Sequence, residues 1–204
     1  EKDMAAVAAR SRGAALNNPA AQVSEEVAVS ELLARPYVAE PLRAHDCAPV
    51  GDGAAAVIIA SQARARELCA RPAWITGFAH RIDSGSLGAR DLLAVPSASG
   101  ALSACAAAAA GRAAEVSAVD VAELHAPFTH QEILLRQALR LGDEVEVNPS
   151  GGALCGNPMF AAGLARIGMA AQAVMAGRAG RALGHATSGP ALQQNLVCVM
   201  EATQ

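Results

Sequence analysis

Two stretches of the chain hold the side chains that could do chemistry. In ELHAPFTHQE (123–132), His125 stands at the end of an apolar run and just ahead of a helix start, the position where sites form in α/β folds. An imidazole there can take or give a proton, or hydrogen-bond a reacting oxygen; a histidine satisfied within a core would do neither. The spacing of His125 and His130 fits no common metal motif, so no metal site is expected. In NPSGGALCGNP (148–158), three glycines, two prolines, two asparagines and a cysteine share eleven residues. Glycine costs entropy in a helix or strand interior and proline removes a backbone donor, so this run is a loop.

That loop admits two uses. Gly151, Gly152 and Gly156 let the backbone approach a ligand, and the helix that follows would point its free amides at whatever sits there. Asn157 followed by Pro158 also reads as a plain helix start, an N-cap and a first-turn proline; capping and lining a site are compatible. Cys155 is either a thiol acidified by the helix N-terminus or a small packing residue. A nucleophile elbow, a Walker loop and a dinucleotide fingerprint are all missing from the 204 residues, which removes the commonest hydrolase and nucleotide-binding readings.

The elements that must position these residues follow from periodicity. Residues 1–45 read as short helices, KDMAAVAARSRGAAL and SEEVAVSELLA, joined by proline-punctuated segments. Beyond residue 46 strands and helices alternate. GDGAAAVIIAS (51–61) is predicted as a short buried strand and SQARARELCA (61–70) as a helix capped by Ser61. AWITGFAHRI (73–82) suits a strand, SGALSACAAAAAGR (99–112) a helix, and VDVAELHAPF (119–128) a strand. Thr129 and Glu132 form a capping-box pattern for the helix after it. Past the glycine loop, Phe160, Leu164, Ile167, Ala171 and Val174 mark one face of a helix ending at Gly177. The close, RALGHATSGPALQQNLVCVMEA, reads as two strands around a Ser-Gly-Pro turn. Alternating strands and helices with a β-β finish predict a three-layer α/β domain.

Composition narrows the function classes. A net charge of −3 gives no electrostatic case for nucleic acid, and Arg10, Arg12, Arg178 and Arg181 read as a solvated face. The five cysteines lack any C-x-x-C pair, so they suit a reducing compartment and neither a zinc ribbon nor a disulfide framework. The longest alanine run is too short to span a bilayer. A cytoplasmic protein without a membrane span is expected.

DCAPVGDGAAAVIIAS (46–61), VDVAELHAPF, NPSGGALCGNP and ALQQNLVC (191–198) occur in that order. Together they resemble the C-terminal half of the thiolase superfamily, nearest its sterol-carrier-protein type and the actinobacterial lipid-transfer-protein-like thiolases. NNP-x-x-Q (17–22) is similar to the end of that family's loop domain. The resemblance implies that residues 1–45 end a loop domain and 46–204 form a C-terminal thiolase-like half of an αβαβα fold. It implies a coenzyme A thioester as substrate, no further cofactor, and chemistry that makes or breaks a C–C bond in an acyl-CoA of lipid metabolism.

Carried over by position, His125 matches the first residue of the family's H-D-C-F and Phe128 the last, while Gly156-Asn157-Pro158 matches G-H-P. The implied site is therefore His125, Asn157 and Cys155 as catalytic residues, with Phe128, Gly151, Gly152 and Gly156 against substrate. Pro127 occupies the place of that branch's cysteine, and Cys198 lacks the glycine of the usual C-x-G. An amide in place of histidine can donate a hydrogen bond but cannot act as a base. Three functional classes follow: a thiolase-type acyltransferase with this segment as the oxyanion-hole half, a retro-aldol lyase on acyl-CoA thioesters, or a non-catalytic acyl-CoA-binding scaffold. The only tyrosine, Tyr37, lies in the loop region, a poor place for a lyase base. Expected partners are the N-terminal thiolase half, on the same or another chain, a homo- or hetero-oligomer, and a small zinc-ribbon/OB-fold acyl-CoA-binding protein.

Overall fold

In the computed structural model, residues 1–108 and 118–203 are described. The N-terminal region holds helix α1 (Lys2–Ala14), helix α2 (Val29–Ala34) and a small hairpin of β1 (Tyr37–Ala39) and β2 (Leu42–Arg43). Ala5 and Ala8 of α1 and Leu32 of α2 bury a small core of their own. The main body follows as α3 (Gln62–Leu68), β3 (Trp74–Ile82), α4 (Pro96–Ala108), β4 (Val121–Glu123), α5 (Thr129–Ala138), β5 (Glu146–Val147), α6 (Ala162–Met175), β6 (Arg181–Ser188) and β7 (Gln194–Glu201).

Five strands make one mixed sheet in the order β3-β7-β6-β4-β5. β4 runs parallel to both neighbours, β5 and β6, while β7 is antiparallel to β6 and β3. All three β4 residues are buried, as a parallel strand covered on both faces must be. Helices α4 and α5 cover one face, where Leu102, Cys105, Leu135 and Leu139 pack with Leu183, Val197 and Val199. Helix α6 covers the other, where Ala170, Ala173 and Val174 meet Val121, Ala182 and Met200. This is the three-layer α/β arrangement that the alternating pattern predicts. Small residues bring α6 very near the sheet: a Cβ added to Gly184 of β6 would lie 2.8 Å from the Ile167 backbone.

Several expectations need correction. The apolar run 51–61 is no strand; it is irregular, with Ile58 94% and Ile59 79% exposed. A strand needs a neighbour to bond with, and among the described residues no strand pairs with this segment. The strand expected over 119–128 joins the sheet at Val121–Glu123, and Phe128 beyond Pro127 makes an isolated bridge to Cys47. Thr129 and Glu132 make no capping box: Phe128 is the N-cap, without a side-chain cap bond. Thr129 instead donates to Asp46 at 2.7 Å, and Glu132 accepts from Asn148 at 2.8 Å. The first residues of the helix expected at 99–112 stand in α4, and its end lies outside the described residues.

Asn157 and Pro158 do not start α6 either. A 3-10 turn, Met159–Ala161, intervenes, and Pro158 precedes that turn. The buried face of α6 is Ala162, Arg166, Ala170, Ala173 and Val174, whereas Phe160 and Leu164 of the anticipated apolar stripe are exposed. Ile75, Phe78 and Ile82 of β3 are exposed as well, so apolar surface that soluble proteins normally cover stands open on this chain. Arg10, Arg12 and Arg181 are each ion-paired, to Glu132, Glu25 and Glu201, and form no basic patch.

The contact of α6 with β6 yields a stability test. Gly184→Ala should destabilise the full-length protein by about 1–3 kcal/mol in chemical denaturation, because the neighbour it meets is backbone. Gly88→Ala, with nothing within 4 Å of the added carbon, should leave the midpoint unchanged.

Candidate functional site

His125 follows the carboxyl end of β4, where β4 and β6 run side by side with Glu123 opposite Gly184. Three residues beyond Gly184, the Thr187 amide of β6 donates to His125 Nδ1 at 3.4 Å. That bond assigns the ring proton to Nε2, leaving Nε2–H as a donor. The ring is 7% exposed. Burial first, and then the charge of Arg166, hold His125 below the ordinary imidazole range, against weaker opposing pulls from the Asn157 side chain and the Thr187 backbone. The neutral form is thus the one that the fold favours.

Asn157 comes to the same place from the glycine loop. Its backbone amide donates to Gln22 Oε1 at 3.4 Å, and its own side-chain Oδ1 is buried without a partner among the described residues. That carboxamide faces His125 and draws the imidazole toward its charged form. The loop itself is shaped by left-handed backbone at Asn148, Gly151 and Gly152 (φ 52°, 89° and 65°). Any side chain at Gly151 would strike Ala15 and Cys155, at 2.6 and 2.8 Å, so the backbone there can be nothing bulkier.

Buried charge fixes the loop in place. The Ser150 amide donates to Glu123 Oε1 at 3.0 Å and its hydroxyl to Oε2 at 2.7 Å, while Arg166 donates to the Ser150 hydroxyl at 2.6 Å and to Glu123 Oε2 at 3.1 Å. Burial pushes the Glu123 carboxyl up, and Arg166 and Ser150 draw it back; with only donors around both oxygens it is held as the carboxylate. A second layer lies below. Asn148 accepts the Leu124 amide at 2.6 Å and donates to Glu132, which also receives Arg10. From the N-terminal region, Asn18 donates to the Ser150 carbonyl at 2.9 Å, and the Gln22 amide donates to the Cys155 carbonyl at 2.7 Å.

The remaining expected site residues fare differently. Cys155 is 1% exposed, wedged beside Gly151, and burial pushes its thiol up to about 11 despite the pull of Arg12, Arg166 and Arg10. Burial thus moves this thiol opposite to the way an acidified thiol requires, and the side chain packs within the loop. Phe128 stacks on His130 at 5.6 Å and bridges to Cys47, a contact of the α5 start with segment 46–48. Gly156 lies near the Ala20 carbonyl, 3.5 Å from where its Cβ would be, which ties it to the N-terminal region. Sequence reasoning missed Glu123, Arg166, Ser150 and Asn148. A carboxylate between apolar neighbours in a buried strand, and one arginine on the alanine face of α6, were the available signals.

A cavity of about 410 Å³ lies between Arg66, Arg71, Trp74 and Ala202, at the other end of the sheet, where β3 begins and β7 ends. Among the described residues no cluster of His, Cys, Asp or Glu could hold a metal ion, and no helix is long and apolar enough to cross a membrane.

No protein-family model matches the chain. Three curated proteins do. An acetyl-CoA acetyltransferase of Methanothermobacter thermautotrophicus is 31% identical over 170 residues, 74% of this chain and 44% of that protein. The benzoylsuccinyl-CoA thiolase subunit BbsB of Thauera aromatica is 27% identical over 190 residues, 81% of this chain and 47% of that protein. A 17-hydroxy-3-oxo-4-pregnene-20-carboxyl-CoA lyase of Mycobacterium tuberculosis is 39% identical over 72 residues, 35% of this chain and 19% of that one. Among solved structures, the Ltp2-ChsH2(DUF35) aldolase superposes with a TM-score of 0.79 at 18% identity, over 98% of this chain and 58% of the other; that likeness is one of fold. The chain spans about half the length, or less, of the curated proteins it matches. By sequence it is thiolase-related, and its α/β architecture is that of a thiolase-like half-domain.

Proposed function

We propose that this chain supplies the oxyanion-stabilising half of a site that makes or breaks a C–C bond in an acyl-CoA thioester. The observation that carries this reading is His125: a buried imidazole with Nδ1 engaged by Thr187, so that a neutral Nε2–H is the group on offer. Asn157 adds a carboxamide beside it. Donors fixed before reaction and screened from water stabilise the negative oxygen of an enolate without reorganising, and each such donor contributes about 2.7–4 kcal/mol to the transition state.

On this reading proton transfer and acyl transfer are done by groups outside the chain. Cys155, with its thiol up at about 11, is a poor shuttle at neutral pH, and Pro127 stands where the branch has its cysteine. A second, similar half, on the same or another chain, supplies the acyl-accepting cysteine and covers the exposed apolar residues of β3 and the start of α6. The finer assignment to the sterol-carrier-protein-type branch, with a zinc-ribbon/OB-fold partner, belongs to the same proposal. A retro-aldol lyase is the second reading, favoured by the missing second cysteine and by the lyase relative. It uses the same oxyanion stabilisation, and a 3-hydroxyacyl-CoA replaces the 3-oxoacyl-CoA.

The test is His125→Ala in the full-length protein, assayed on both a 3-oxoacyl-CoA with free CoA and a 3-hydroxyacyl-CoA. Turnover of one substrate should fall by about 10²–10³ in kcat, with a smaller loss for Asn157→Ala. Unchanged turnover of both assigns the chain to the non-catalytic scaffold class. Cys155 gives an independent check. With its thiol up at about 11, roughly one molecule in ten thousand carries the thiolate at pH 7. Mass spectrometry after iodoacetamide should find it unmodified near neutrality, and Cys155→Ala should keep the wild-type rate. Rapid labelling at pH 7 would reinstate it as a reactive group.

A further inference from the structure

The glycine loop and His125 are held by different elements, yet one side chain reaches both. We propose that Arg166 is a positioning residue of the His125–Asn157 site: from α6 it clamps the glycine loop onto β4 through Ser150 and Glu123, and it keeps a fixed positive charge beside the imidazole. The proposal rests on the reading of His125 as the oxyanion donor.

Arg166 is 4% exposed on a helix face otherwise made of alanine and valine, where an apolar side chain would pack without desolvating a charge. Its Nη1 reaches both the Ser150 hydroxyl and Glu123 Oε2, while its Nε has no acceptor among the described residues. Ser150 returns two bonds to the same carboxylate, so guanidinium, hydroxyl and carboxylate close a ring that crosses from loop to strand. One turn before Arg166, a Cβ on Gly163 would sit 2.7 Å from Ala186 Cβ and 4.0 Å from His125 Nδ1. The α6 face that carries Arg166 is therefore the one laid over the imidazole.

Few other charges face His125. On its own strand Glu123 is matched by Arg166. From β6 comes His185, buried and hydrogen-bonded to Asn195 at 2.8 Å, its imidazole pushed down to about 4 by burial. From the loop come uncharged Asn157 and the thiol of Cys155. Arg10, Arg12 and Glu132 act on Cys155. That leaves Arg166 as the cation whose charge disfavours protonation of His125. A depressed histidine is neutral above its ordinary pKa and stays so as pH falls, charging only near the lower folded value.

The experiment follows the His125 ring by NMR pH titration in the full-length protein, its signal assigned by its loss in His125→Asn, with kcat measured alongside. Arg166→Met should move the His125 midpoint upward by at least half a unit and lower kcat at least tenfold, the scale of a mispositioned catalytic group. Arg166→Lys should recover the midpoint and part of the rate. Because Arg166→Met strands a buried carboxylate, Glu123→Gln/Arg166→Met provides a charge-balanced variant that reads the same two quantities. A midpoint that stays put in both methionine variants overturns the proposal, whatever happens to the rate. A midpoint that rises in a protein whose His125→Ala variant is fully active upholds the electrostatic placement and rejects the oxyanion reading instead.

Discussion

A carboxylate taken out of water at the end of β4 sets the terms for everything around it. Glu123 is 1% exposed, and an ion so placed is tolerable only if donors surround it. Arg166 and Ser150 are those donors, and each brings its own element: α6 is drawn onto the sheet and the loop is pinned at its third residue. Removing one partner of such a pair costs about 3–5 kcal/mol, because the other is left as a buried charge. The arrangement is therefore close to all-or-none. With the ring intact, the loop's backbone and Asn157 have one position relative to His125.

The same logic continues one shell out. Asn148 sits in left-handed backbone and answers both the Leu124 amide and Glu132. Glu132 in turn takes Arg10 from α1, and Asn18 and Gln22 hold the loop's carbonyls. The N-terminal region is thus tied to the site by hydrogen bonds more than by shared apolar core, since its own core is only Ala5, Ala8 and Leu32 with their neighbours. A loop rich in glycine has much conformational entropy to lose, and these tethers from three sides are what hold it to one shape.

How much of this the sequence disclosed depends on the kind of force involved. Strands β3, β6 and β7 were legible because β-branched and apolar residues bounded by turn residues leave little choice. The glycine loop was legible as a loop for the complementary reason. The run 51–61 was misread because apolar content says a segment wants burial, not that a partner is present; Ile58 and Ile59 remain open. Thr129 with Glu132, and Asn157 with Pro158, carry correct capping signatures, yet Asp46, Asn148 and Arg10 took the side chains of the former pair, and a 3-10 turn separates the latter from α6. The Glu123–Arg166 pair joins residues 43 positions apart, and no local pattern encodes a contact of that kind.

Burial also decides what chemistry is open to this chain. It holds His125 neutral, drives His185 down to about 4 and raises Cys155 and Cys198 to about 11 and about 12. Each of these groups is thereby pushed toward its uncharged form, and burial acts on Glu123 in the same sense, opposed there by Arg166 and Ser150. Groups that stay neutral across the working pH are poor at shuttling protons and good at donating hydrogen bonds to a charge that appears on something else. A dry site with an uncharged imidazole, a carboxamide and a backbone loop suits the stabilisation of a developing oxyanion. The nucleophile and the acid/base that such a reaction also needs would have to reside where water or a neighbouring charge lets them ionise, and the proposed second half is where that environment would be found.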